Sequence, residues 1–185
     1  MNNNNYKGAD GIVDEQLIRT LLDLPKKILL HEDLDSLAQI VLHELGHDQH
    51  LGLKRATYIV DNPEFGCIKG VAGFCKSECK YHKNDLWHDP HCFCQDMQEA
   101  RFHQEIKHFA HNSVCHKSGN LAECNELHKL GNKIGIDNPT IYTWPMRNGN
   151  KGVLIFEDDE HNGKCKKDPV LLDYLSVLLG LCRLH

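Results

Sequence analysis

Long apolar runs are missing from this chain, and their absence is the first constraint on what it does. No uninterrupted stretch approaches the roughly 20 apolar residues that span a bilayer, so no membrane partner is expected. An excess of positive charge is missing as well: 21 Lys and Arg stand against 26 Asp and Glu, a formal net charge of −5. That balance argues against a nucleic-acid partner or an anionic membrane surface. The opening MNNNNYKGAD has no basic segment followed by an apolar run, so a cytoplasmic location is expected. Neither a glycine-rich phosphate loop nor a strand-to-helix nucleophile elbow occurs, which leaves phosphate cradling and serine-type acyl transfer without a motif.

Histidine and cysteine are abundant instead, 14 and 9 among 185 residues. Thiols in a reducing compartment point to metal binding or redox chemistry more than to disulfides. Cys75, Cys79, Cys92, Cys94, Cys115 and Cys124 all fall in the middle third, interleaved with His82, His88, His91, His103 and His108. This is a ligand-rich segment of an otherwise ordinary globular composition.

Residues 1–10 read as a flexible N-terminus and 11–185 as a single metal-binding domain, with a Cys/His-rich irregular insert over 61–95. The spacing of Leu17, Ile18, Leu21 and Leu22 predicts a first helix that stops before Pro25. A second helix is predicted through DLDSLAQIVLHELGHDQHLG, with Asp33 or Ser36 as cap and Gln39 in capping-box spacing. Met97, Phe102, Ile106 and Phe109 predict a helix over residues 95–111, and a further one runs from Asn120 to a stop at Gly131. PTIYTWPMRNGNKGVLIFEDD has the β-branched and aromatic runs around a Gly/Asn turn of a hairpin, while Asp168, Pro169 and the leucines after them predict a last helix. The expected fold class is α+β: a mainly helical single domain with one small β-hairpin or sheet.

Within VLHELGHDQH, His43, Glu44 and His47 form H-E-x-x-H, with His50 beyond. On a continuous helix, at ~100° per residue, these histidines oppose a face made of Leu34, Leu37, Val41 and Leu45. Histidines one turn apart reach one metal, and Glu44 then stands beside a metal-bound water as general base. The motif, with Gly46 inside it, resembles zincin metallopeptidases. The resemblance implies a zinc-dependent hydrolase that uses a metal-activated water on an unknown peptide or protein substrate. Its third ligand would come from a later helix. QEARFHQE is similar to the second-helix segment of intracellular metallopeptidases of phage-repressor and radiation responses, and it implies Glu99, or His103 one turn on.

Other parsings stay open. Glu44 with His47, and Glu105 with His108, repeat E-x-x-H, the paired motif of di-iron helical bundles, which would make iron the cofactor. His47-Asp48 is also the doublet of HD-type metal phosphohydrolases, with His31 or His43 and Asp61 as further ligands. Cys75, Cys79, Cys92 and Cys94 offer enough soft donors for a closed zinc site, so a non-peptidase metal or redox sensor is the second expectation. The oligomeric state is not encoded in any motif.

Overall fold

A five-stranded antiparallel sheet lies at the centre of the molecule, which corrects the expectation of a mainly helical domain with one small hairpin. The computed structural model describes residues 15–31, 36–47, 51–79, 87–114, 120–159 and 169–182. In chain order the elements are α1 (Glu15–Leu30), α2 (Leu37–Gly46), β1 (Leu53–Asn62), β2 (Cys67–Cys75), α3 (Pro90–Glu99), α4 (Arg101–Lys107), β3 (Ala110–Asn112), α5 (Asn120–Lys133), β4 (Thr140–Pro145), β5 (Lys151–Asp158) and α6 (Pro169–Leu181). The strands are ordered β3-β2-β1-β5-β4. The hairpin read from residues 139–159 is present as β4 and β5, but it is the outer part of a larger sheet.

Two segments account for the difference. Thr57–Val60 carries the β-branched and aromatic residues that favour a pleated surface, and it becomes the central strand β1. The segment expected to be an irregular insert supplies β2, whose glycines read as turn residues but serve another purpose. An alanine at Gly70 would place its Cβ 1.8 Å from the Ile106 carbonyl oxygen, and at Gly73 2.9 Å from Ile106 Cγ1. Glycine is there so that α4 can lie directly on β2. A bulge at Val71 shifts the β1–β2 register between Tyr58 and Ile59.

Each face of the sheet has its own core. On one face Ala56, Tyr58, Phe74, Leu154 and Phe156 pack with α1, α2, α3 and α6. On the other, Ile59, Ile68, Val153 and Ile155 pack with Phe102 and Ile106 of α4 and Leu127 and Leu130 of α5. This division explains why the helix expected over 95–111 is two helices. Met97 belongs to the first core and Phe102 to the second, so the chain breaks at Ala100 (φ −72, ψ 106) as it passes from one face to the other.

α1 runs through Pro25 instead of stopping before it. An interior proline costs about 3 kcal/mol in a free helix. Here burial of Leu24 and Ile28, one on each side of it, offsets that cost. Proline also has no N–H to give the carbonyl of Leu21, four residues back. The Tyr174 hydroxyl of α6 donates to that carbonyl. Tyr174→Phe is therefore expected to cost about 1 kcal/mol in urea unfolding, more than loss of an exposed hydroxyl would.

α5 continues past Gly131 to Lys133 and is stopped by Gly135 (φ +80), after which Ile136 N–H reaches back to the Gly131 carbonyl at 3.0 Å. Asp33 and Asp168, the expected caps, lie outside the described residues. No helix among the described residues is long and apolar enough to cross a membrane.

Candidate functional site

α2 has no polar face. Nine of its ten residues are buried, only Glu44 reaching the half-buried class, because the helix is enclosed by the sheet and its neighbours. His43 sits edge-on to the rings of Phe74 and Phe93, at 5.0 and 5.1 Å between centroids. Its Nδ1 lies 3.5 Å from Cys79 Sγ. Burial pushes its pKa down to about 3, with nearby His103 and His47 acting in the same direction and the Gly73 backbone opposing them.

The helix ends at Gly46, and His47 is its C-cap in an extended conformation (φ −62, ψ 151). Its φ is still helical, so its Cβ stays one turn from that of His43, and the extended ψ redirects only the chain that follows. His50 and His82 lie outside the described residues. His103 is buried on α4, its pKa pushed down to about 4 by burial and then by Lys107. Its Nδ1 accepts the Gly73 N–H at 3.4 Å, which places the proton of the neutral ring on Nε2. Glu99, by contrast, is exposed at the end of α3.

The cysteines are dispersed. Cys75 Sγ is 3.2 Å from Ser77 Oγ in the core beneath α4 and α5, whereas Cys94 Sγ is 2.6 Å from Ser36 Oγ at the start of α2. Cys92 is exposed, its backbone N–H capped by Asp89. Cys75, Cys79, Cys92 and Cys94 are all thiols. Glu105 and His108 are exposed, Glu105 paired with Arg101 at 2.8 Å and His108 Nδ1 2.7 Å from the Gln104 carbonyl. His31 packs beside Trp87, and buried Asp61 accepts the Val114 N–H. Among the described residues no group of three or more His, Cys, Asp or Glu side chains is arranged to hold a metal ion.

What the buried histidines surround is the outer edge of β2. β3 covers only Cys67–Lys69 of that edge. Beyond it the Gln39 side chain does the work of a neighbouring strand: Nε2 donates to the Gly73 carbonyl at 2.6 Å, and Oε1 accepts the Gly73 N–H at 3.1 Å. In the sequence Gln39 has capping-box spacing to Ser36. The Ser36 side chain makes no cap bond, and Gln39 turns to the sheet.

A cleft opens on the opposite face of the sheet, between α4 and the end of α5, with a volume of about 540 Å³. Arg55, Arg101 and Lys133 enter it beside Phe102, Ile106 and Ile134. The Arg55 guanidinium donates to the Gly135 carbonyl and lies over the Phe102 ring, 5.6 Å from its centroid. Glu78 accepts the Phe102 N–H at 3.0 Å at the start of α4, and Glu105 holds Arg101. Three cations face two carboxylates.

No family model, curated protein or solved structure matches this chain. The candidate site rests on geometry. Sequence reasoning missed the cleft because Arg55, Arg101 and Lys133 come from a strand and two helices far apart in the chain, with no local spacing to link them. Histidine-rich α2 drew attention to the other face.

Proposed function

We propose that the chain is a binding module for a small organic anion, and that the ligand occupies the cleft between α4 and α5. The observation that carries this reading is the convergence of Arg55, Arg101 and Lys133 on a concave apolar floor of Phe102, Ile106 and Ile134. A volume of about 540 Å³ suits one small molecule. The guanidinium and ammonium groups set a preference for carboxylate or phosphate, while the aromatic and aliphatic walls favour a ligand with an apolar body. Glu78 and Glu105 hold α4 and Arg101 in place and disfavour ligands bearing several unshielded negative charges.

This reading departs from the hydrolase expectation because Phe74 and Phe93 enclose His43 and no described group of donors is arranged to hold a metal. It differs from the metal or redox sensor expectation as well, since the cleft lies across the sheet from His43 and is lined by neither cysteine nor histidine.

A thermal-shift panel of mononucleotides, aromatic carboxylates and dicarboxylates, each beside a neutral analogue, tests it. A ligand at a hundred times its Kd stabilises by about 2.7 kcal/mol, a rise on the order of 5–10 °C for a domain this size. At least one anion is expected to give such a shift, weaker in 0.5 M salt and absent in Lys133→Glu, whose unliganded Tm stays close to that of the parent. Equal shifts from the neutral analogues, or undiminished binding by Lys133→Glu, would overturn the assignment.

A further inference from the structure

Seven large aliphatic side chains stand in solvent on two helices that lie side by side. On α1 they are Ile18, Leu22, Leu29 and Leu30, exposed by 39%, 64%, 65% and 78%; on α6 they are Val170, Val177 and Leu181, exposed by 74%, 57% and 45%. Leu30 aside, each set belongs to a stripe with the same spacing. Ile18, Leu22, Pro25 and Leu29 are separated by four, three and four residues, and so are Val170, Tyr174, Val177 and Leu181. This is the 3.5-residue repeat of helices that pack against other helices in a left-handed bundle. α1 turns Leu24 and Ile28 to the core and α6 turns Leu172, Leu175 and Leu179 to the same core. The exposed members of both stripes therefore face away from the sheet, while half-buried Tyr174 packs against the core and ties the two helices together through its hydrogen bond to the Leu21 carbonyl.

We infer that this face is the interface of a homodimer, in which α1 and α6 of one copy pack against α6 and α1 of a second to form a four-helix bundle. Three features choose a second copy over another occupant. The seven exposed side chains make a patch on the order of several hundred Å² per copy, the size of the largest patch of a typical monomer and approaching the ~800 Å² per partner of a stable interface. Both stripes have one period and nearly one length, so a twofold axis between the helix pairs makes the surface complementary to itself. The flanks differ in charge: Arg19 borders the α1 stripe beside Lys26, which is paired with Asp23 at 3.1 Å, and Asp173, which accepts the Tyr142 hydroxyl, borders that of α6, so Arg19 meets a carboxylate when α1 meets the partner's α6. The inference stands apart from the ligand cleft, which lies on the other face of the sheet.

Sedimentation velocity with multi-angle light scattering tests it on the full chain. At micromolar concentration the protein is expected to have twice the chain mass. Leu22→Glu and Val177→Glu, both on exposed positions, should each raise the dissociation constant on the order of 30-fold or more with unchanged circular dichroism. Phe65→Glu, which alters the equally exposed tip of the β1–β2 turn, should leave the dimer intact. A monomer at 100 µM would refute the proposal, showing the stripe to be covered by the chain itself. So would a dimer that neither glutamate substitution weakens.

Discussion

Gly70→Ala is expected to lower the melting temperature by about 10 °C. The Cβ it introduces would sit 1.8 Å from the Ile106 carbonyl oxygen, which is backbone and cannot turn aside as a side-chain end does. Relief requires α4 to move off β2. That movement stretches the hydrogen bond from Gly70 N–H to the Phe109 carbonyl, 3.0 Å long, and opens the packing of Ile106 and Phe102 on the sheet. Overpacking at a rigid contact of this kind costs on the order of 3 kcal/mol or more, and each kcal/mol shifts Tm by about 2–4 °C in a domain of this size. Calorimetry checks the figure. A fall under about 2 °C would show that α4 is not held against β2 at this point. Gly66→Ala, where a Cβ meets nothing within 4 Å but φ is +62°, should cost only about 1 kcal/mol and serves as the comparison.

A loss of stability on mild acidification should match it in size. His43 and His103 are neutral in the folded chain, with pKa values pushed down from 6.5 to about 3 and about 4 by burial. In the unfolded chain both take up a proton near the ordinary histidine value. Between these limits the unfolded state binds more protons, so stability rises with pH. The penalty is absent above about pH 6.5 and grows as pH falls; it levels off only below the folded values. At about pH 5 each histidine accounts for on the order of 2 kcal/mol. Urea unfolding at a series of pH values should show a fall between pH 7.5 and 5 that His103→Gln roughly halves. An unchanged slope in His103→Gln would mean that its ring is protonated in the folded state. The same dependence gives buried histidine a structural effect: the contacts around Gly73 loosen in acid.

Legibility in the sequence followed burial. α6 was read because a single face of it is buried, and one-sided burial leaves a period, whereas the β4–β5 hairpin was read from β-branched and aromatic runs on either side of a Gly/Asn turn. α2 was placed but its faces were not, since a helix packed on all sides has no polar stripe to orient it. β2 was lost because Gly70 and Gly73, which there admit α4, are in isolation turn residues. The break at Ala100 was lost because Met97 and Phe102 keep helical spacing while serving cores on opposite sides of the sheet. The H-E-x-x-H reading presumed a polar ligand face on α2, whereas the helix is buried nearly all round and His43 lies between Phe74 and Phe93. As for the cleft, its cations are brought together only by the tertiary fold.

The amide of Gln39 on Gly73 also bears on how the molecule avoids its own kind of error. An uncovered strand edge is a template on which a strand of a foreign chain can grow, the first step of amyloid-type aggregation. Gln39 occupies both hydrogen-bonding groups of Gly73, with β3 and α4 on either side, so along β2 that template is already filled. The opposite edge is β4, which ends in Pro145, a residue with no N–H to offer an incoming strand. Replacement of one buried glutamine by an apolar residue of equal size would thus leave the core filled and yet create an adhesive edge, a defect visible as fibril growth before it is visible as unfolding.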